Sequence, residues 1–125
     1  MRLLLDTCIV YDWLMGQIRD AEAEKLIQAE DAYVSPITLW EMAIKHGIGK
    51  LALPTMDVEA AITGQGFAWL AIQPAHAQAL FGLPPLHRDP FDLFLIAQAR
   101  TERMPIVTYD AIFTDYLANT MILKR

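Results

Sequence analysis

Four acids in this chain stand where an acid is either costly or conspicuous, and together they could bind a divalent cation. Asp6 ends the apolar run Leu3-Leu4-Leu5, and Asp110 ends a second run, Ile106-Val107-Thr108-Tyr109. Apolar runs without alternation suit strands buried on both faces. The carboxyl ends of such strands are where open α/β sheets place their ligands. Glu41 lies in a helical pattern over residues 36–46, in which Ile37, Trp40, Glu41, Ile44 and Ile48 fall on one side at about 100° per residue. A lone carboxylate on an apolar stripe is expensive unless it is paired or bound to a metal. Asp92 occupies the third position of a helix opened by Asp89-Pro90, inside the positive end of its dipole.

Two carboxylates about 4 Å apart repel by roughly 4 kcal/mol at an effective dielectric of about 20. A pocket that gathers all four therefore needs cations or protons. Oxygen ligands with no His or Cys at ligand spacing favour Mg2+ or Mn2+ over zinc. Such a site can activate water and stabilise charge on a phosphodiester. Taken singly, the acids have ordinary roles as well. Asp6 and Asp110 would serve equally as helix caps, Asp89 is explained fully by its Asp-Pro cap, and Asp92 alone suits a helix dipole. Glu41 has the weakest structural explanation.

The elements that must position these acids alternate between strand and helix, which predicts an α/β domain with a mainly parallel sheet of about five strands and helices on both faces. After the first strand a short helix over residues 9–15 stops at Gly16, and Asp20 caps a second over 21–29 with Ala23, Leu26 and Ile27 inward. Residues 32–34 form a second strand. Ser35 caps the Glu41 helix, with Pro36 at its first position. Asp57 caps a helix ending near Gly64, residues 69–72 form a third strand, and Pro74 opens a helix to Phe81. The Asp89-Pro90 helix runs to about Arg100 with Leu95, Ile96 and Ala99 inward. The strand 106–110, a short helix over 111–117 and a last strand over 120–123 complete the chain. Right-handed crossovers place all parallel carboxyl ends on one edge. All four acids are compatible with one pocket there, provided the Ile106 strand runs parallel to the first.

With 125 residues, 54% of them hydrophobic and 20% charged, the chain suits one compact domain over 1–125. No stretch approaches a membrane span, and Asp6 and Asp12 interrupt any apolar leader. The single Cys8 leaves no internal disulfide, suits a reducing cytoplasm, and reads as a small core residue. Trp13, Trp40 and Trp69 read as core or interface residues, and His76 as an ordinary helix residue. The net charge of −5 argues against a general nucleic-acid binder. Cations held by the four acids would leave the remainder close to neutral, so local Lys45, Lys50, His87 and Arg88 matter more than the total.

The segments LLLDT at 3–7, SPITLWEMAIK at 35–45, HRDPFDLFLIAQA at 87–99 and IVTYD at 106–110 resemble PIN-domain proteins, and more closely VapC-type toxins of bacterial toxin–antitoxin pairs. The resemblance spans nearly the whole chain. It implies a Mg2+- or Mn2+-dependent endoribonuclease acting on structured RNA, such as tRNA or ribosomal RNA, and inhibited by a cognate VapB-type antitoxin. It also implies a homodimer. Carried over by motif, the acidic set is Asp6, Glu41, Asp92 and Asp110, with Thr7 and Thr108 as supporting hydroxyls. Lys45 through Lys50 matches the loop after the glutamate, and Lys45, Lys50 and Arg88 are candidate RNA contacts. Two departures are Leu93, where relatives carry arginine, and Tyr109, where small or basic residues are common. The alternatives are a DNA nuclease, a PIN protein of RNA processing without a toxin role, and a non-catalytic module whose acidic pocket accepts a basic peptide. A response-regulator receiver would need a mid-chain phosphoacceptor aspartate and a late lysine, and no suitable pair is present.

Overall fold

The computed structural model describes residues 1–125. Its centre is strand β1, Arg2–Leu5, whose three leucines are fully buried because helices cover both faces of the sheet. The sheet contains β1, β2 (Asp31–Val34), β3 (Ala68–Trp69), β4 (Ile106–Thr108) and β5 (Met121–Ile122), in the order β3-β2-β1-β4-β5. Every pairing is parallel, so the sheet is wholly rather than mainly parallel. Leu4 pairs with Ile106 and Leu5 with Val107, which sets the ends of β1 and β4 side by side. The chain leaves β1 toward β2 on one side and returns to its other side at β4. Their carboxyl ends therefore flank a topological switch point.

Helices α1 (Thr7–Leu14), α2 (Ala21–Ala29), α3 (Pro36–Gly47), α4 (Val58–Gly64), α5 (Pro74–Ala79) and α6 (Pro90–Glu102) fill the crossovers. Their starts follow local chemistry. Asp6, Asp20, Ser35 and Asp89 each accept a backbone N–H at a helix start, and Pro36 and Pro90 take the first turn, where no N–H is needed. Asp57 precedes α4 but makes no capping bond with its side chain. At the end of α1, Gly16 turns the chain at φ +67°, a conformation that penalises side chains bearing a Cβ.

The core has two parts, one on each face of the sheet. Leu3, Leu5, Ile9, Val10, Ile27, Met42 and Val107 belong to one, and Leu4, Leu95, Ile96, Ala99, Ile106 and Phe113 to the other. Several expected elements are shorter than their patterns. The third strand covers Ala68–Trp69 and the last Met121–Ile122, and each makes one more backbone bond to its neighbour just beyond, from Leu70 to Val34 and from Leu123 to Thr108. The helix from Pro74 ends at Ala79 and tightens into a 3-10 turn over Leu80–Gly82. The segment after Asp110 is a 3-10 turn, Ala111–Asp115, not an α-helix.

Two readings of side chains need correction. The expected apolar stripe on α3 is not the buried face: Trp40 and Ile48 are about 60% exposed and Ile44 is also exposed. Ile37 and Glu41 of that stripe do face inward, but with Thr38 and Met42, so the buried face is rotated from the expected one. Cys8 is exposed, because Thr7, Ile9 and Val10 take the inward positions at the start of α1.

Candidate active site

The carboxyl ends of β1 and β4, the inward face of α3 and the start of α6 enclose a cavity of about 350 Å3. Asp6, Glu41, Asp92 and Asp110 all line it, together with Asp89 and Lys45. The structure thus gathers the four sequence-selected acids around one space. They ring an open cavity; no three His, Cys, Asp or Glu side chains form a closed ligand set.

Asp6 is held most firmly. Its backbone N–H extends the ladder to Val107, and its side chain accepts 2.7 Å hydrogen bonds from the Thr7 N–H and the Thr108 hydroxyl. Thr108 Oγ1 also accepts the Asp110 N–H at 3.0 Å, so one hydroxyl ties the two strand ends together. The Thr7 hydroxyl turns away to Thr38 on α3 at 3.0 Å, linking the Asp6 turn to the Glu41 helix. Asp6 is 5% exposed, and burial, followed by the charge of Asp92, pushes its pKa up to about 7 despite its hydrogen bonds.

Glu41 is 3% exposed. Its Oε2 accepts a hydrogen bond from Lys45 Nζ one turn along α3, at 2.5 Å, while Oε1 is buried with no partner. An unpaired buried carboxylate oxygen carries its full desolvation cost. Asp92, at the third position of α6, meets His87 Nε2 at 2.8 Å. Burial, opposed by that hydrogen bond and reinforced by the charges of Asp89 and Glu41, raises its pKa to about 6. Asp6 and Asp92 therefore both resist ionisation, as burial beside other carboxylates requires.

Asp110 combines two roles. It is exposed at the cavity edge, and its Oδ1 accepts the Ile112 N–H at 3.0 Å, so it caps the following 3-10 turn. Asp89 likewise caps α6 through the N–H groups of Phe91 and Asp92. Lys45 lines the cavity but is engaged by Glu41. Arg88 and Lys50 are exposed and lie outside the cavity lining.

Sequence reading missed a second group on the rim. Tyr109 donates its hydroxyl to Asp12 Oδ2 at 2.7 Å, and Arg125 approaches Asp12 Oδ1 at 3.4 Å while lying 5.1 Å from the Tyr109 ring centre. Asp12 is buried within the α1 pattern, and only its position among apolar neighbours hinted at this. The Arg125 contact spans 113 residues, and nothing local to the sequence signals it. His76 was also missed. It is fully buried between α5 and α6, accepts the Gln73 N–H at Nδ1, and meets Glu102 through Nε2 at 2.9 Å.

A wholly parallel sheet with acids at its central switch point defines a class of α/β domains that concentrate negative charge at one edge. The PIN domain family model matches residues 3–117, and the chain belongs to that family. The fold is similar to a chain of the VapBC2 complex of Rickettsia felis, solved bound to a promoter DNA fragment, at TM-score 0.68 and 18% identity over 98% of each chain. It is also similar to a chain of the DNA-bound VapBC complex of Salmonella typhimurium, at TM-score 0.68 and 17% identity over 98% of this chain and 97% of that one. A chain of the FitAcB structure from Neisseria gonorrhoeae matches at TM-score 0.64 and 15% identity, over 97% and 96% of the two chains. No curated protein sequence matches significantly.

Proposed function

We propose that this PIN domain is a Mg2+-dependent endoribonuclease toxin, cutting structured RNA such as tRNA or ribosomal RNA and neutralised by a VapB-type antitoxin. The observation that carries the nuclease reading is the buried carboxylate set itself. Asp6 and Glu41 are buried and Asp92 is partly buried around one cavity, and one oxygen of Glu41 has no partner. Burial of several like charges is unfavourable unless something positive joins them. Carboxylates outnumber the other donors of the lining, in which Cys8 is the one thiol; His87, outside it, is hydrogen-bonded to Asp92. A set dominated by oxygen donors suits Mg2+ or Mn2+.

Asp6, Glu41 and Asp92 would hold the ion, with Asp110 supporting it or holding a second. A bound divalent cation supplies water activation and charge stabilisation on the phosphodiester. The chain supplies rigidity and exclusion of water. Thr108 and the Thr7 N–H fix both oxygens of Asp6, and His87 fixes one oxygen of Asp92. Lys45 holds one oxygen of Glu41 in place. Single-stranded or looped RNA fits a narrow cleft better than a duplex. The toxin role rests on the sequence motifs and on the kind of complexes its structural neighbours come from. No helix is long and apolar enough to cross a membrane; a cytoplasmic role follows from the ribonuclease reading, since its RNA substrates are there. We place the whole chain, 1–125, in this one domain and expect it to pair as a homodimer.

The test is cleavage of defined tRNA and ribosomal RNA fragments with Mg2+, Mn2+ or EDTA, by the wild type, Asp6→Asn and Asp92→Asn. Divalent-dependent cleavage lost in both variants is expected. Equal cleavage by all three, or none by the wild type, sinks the catalytic assignment. Co-expression with a small neighbouring antitoxin-like frame tests the toxin role, with restored growth as the expected result.

A further inference from the structure

RNA entering a ring of carboxylates needs a cation that those carboxylates do not already occupy. Two cationic side chains line the cavity, Lys45 and Arg125. Lys45 is engaged with Glu41. Arg125 is 64% exposed at its side chain and touches Asp12 at 3.4 Å with one nitrogen, so most of its N–H fork is free.

The support beneath Arg125 is built. Asp12 is 2% exposed and divides its carboxylate, one oxygen taking the Tyr109 hydroxyl and the other facing Arg125. Arg125 also lies over the Tyr109 ring, whose hydroxyl is anchored from below. An exposed ion pair contributes little to stability, whereas burying a carboxylate is costly. Stability alone therefore gives a poor reason for spending a buried aspartate on an exposed arginine. A planar guanidinium held on an aromatic face is, however, well prepared for a phosphate.

We propose that Arg125 is the substrate-anchoring cation of the RNA site, gripping a backbone phosphate beside the scissile one, and that Asp12 and Tyr109 are its positioning residues. The inference rests on the ribonuclease reading above and adds how the RNA is held. It assigns to Arg125 affinity for RNA, and to Tyr109 an effect that exists only while Arg125 is present.

The experiment has two arms. Cleavage of a short single-stranded RNA with Mg2+ gives kcat and KM. Anisotropy of the same labelled RNA with Ca2+, across a salt series, gives affinity and its salt slope. Arg125→Ala should raise KM and weaken binding about tenfold with kcat within about threefold, and lower the salt slope by about one. Arg125→Lys should recover only part of this. Tyr109→Phe should weaken binding in the wild type and add nothing to Arg125→Ala. Lys25→Ala, which removes a charge on α2, should change neither constant. The inference is overturned if Arg125→Ala behaves like Lys25→Ala, or if kcat falls while KM and affinity stay put. A wild type that binds RNA with this dependence on Arg125 but never cleaves it overturns the ribonuclease reading alone. A wild type that neither binds nor cleaves overturns both.

Discussion

Replacing Asp6 by asparagine should make the metal-free protein more stable, although it removes a residue on which function is proposed to depend. The folded protein holds the Asp6 carboxyl at about 7 against 3.8 in the unfolded chain. Because the folded pKa is the higher one, folded protein binds the proton more tightly, and stability falls as pH rises from about 4 to about 7. Above that window the whole penalty is present, on the order of 4 kcal/mol. Asparagine removes it, but at a cost. Asp6 accepts from both the Thr7 N–H and the Thr108 hydroxyl, and an amide has only one oxygen to offer. Losing one such bond in a buried place costs about 1–2 kcal/mol. Asp6→Asn should therefore gain about 2–3 kcal/mol at pH 8 in EDTA, and the gain should disappear near pH 4. Urea unfolding of both proteins from pH 4 to 8.5 measures this. Added Mg2+ should reverse the order, because the ion binds and stabilises only the wild type. A variant less stable than wild type at pH 8 in EDTA, or a wild-type stability that stays flat through the window, would refute the claim that Asp6 is ionised against burial.

Two further perturbations separate structural from functional parts of the site. Lys45→Met keeps the apolar stem but leaves Glu41 buried with neither oxygen paired; since Lys45 is 41% exposed, the loss should be about 1–2 kcal/mol, well below that of a fully buried pair, by urea unfolding at pH 7. Asp110→Ser keeps an acceptor for the Ile112 N–H, so metal-free stability should change by about 0.5 kcal/mol or less. The same variant should show a smaller Mg2+-induced rise in melting temperature, and an unchanged rise would leave Asp110 as a cap alone.

Much of the site could be read from the chain because each acid sits in a strong local signal. The Leu3-Leu4-Leu5 run, the Asp-Pro start of α6 and the Ser-Pro start of α3 each fix an element end within a residue or two, and chain direction then places the acids. The face of α3 was less legible. Counting apolar residues turned Trp40 and Ile44 inward, although Thr38, hydrogen-bonded to Thr7 of α1, belongs to the buried side. Glu41 remained correctly placed because it lies at the boundary of both stripes. Cys8 failed for a related reason: its type favours the interior, but position in the first turn of α1 decided the matter.

By itself the sequence determined the alternation of strands and helices, the helix caps and the four acids, since each depends on residues within a few positions of one another. Only the tertiary structure decided that β4 lies against β1 in parallel, which brings Asp6 and Asp110 to adjoining strand ends. It also decided that Thr108 would bridge them, that one Glu41 oxygen would be left without a partner, and that Arg125 would return to Asp12 and Tyr109. These pairings join residues as many as 113 positions apart, and they exist only because burial of the central strand closes the chain around it.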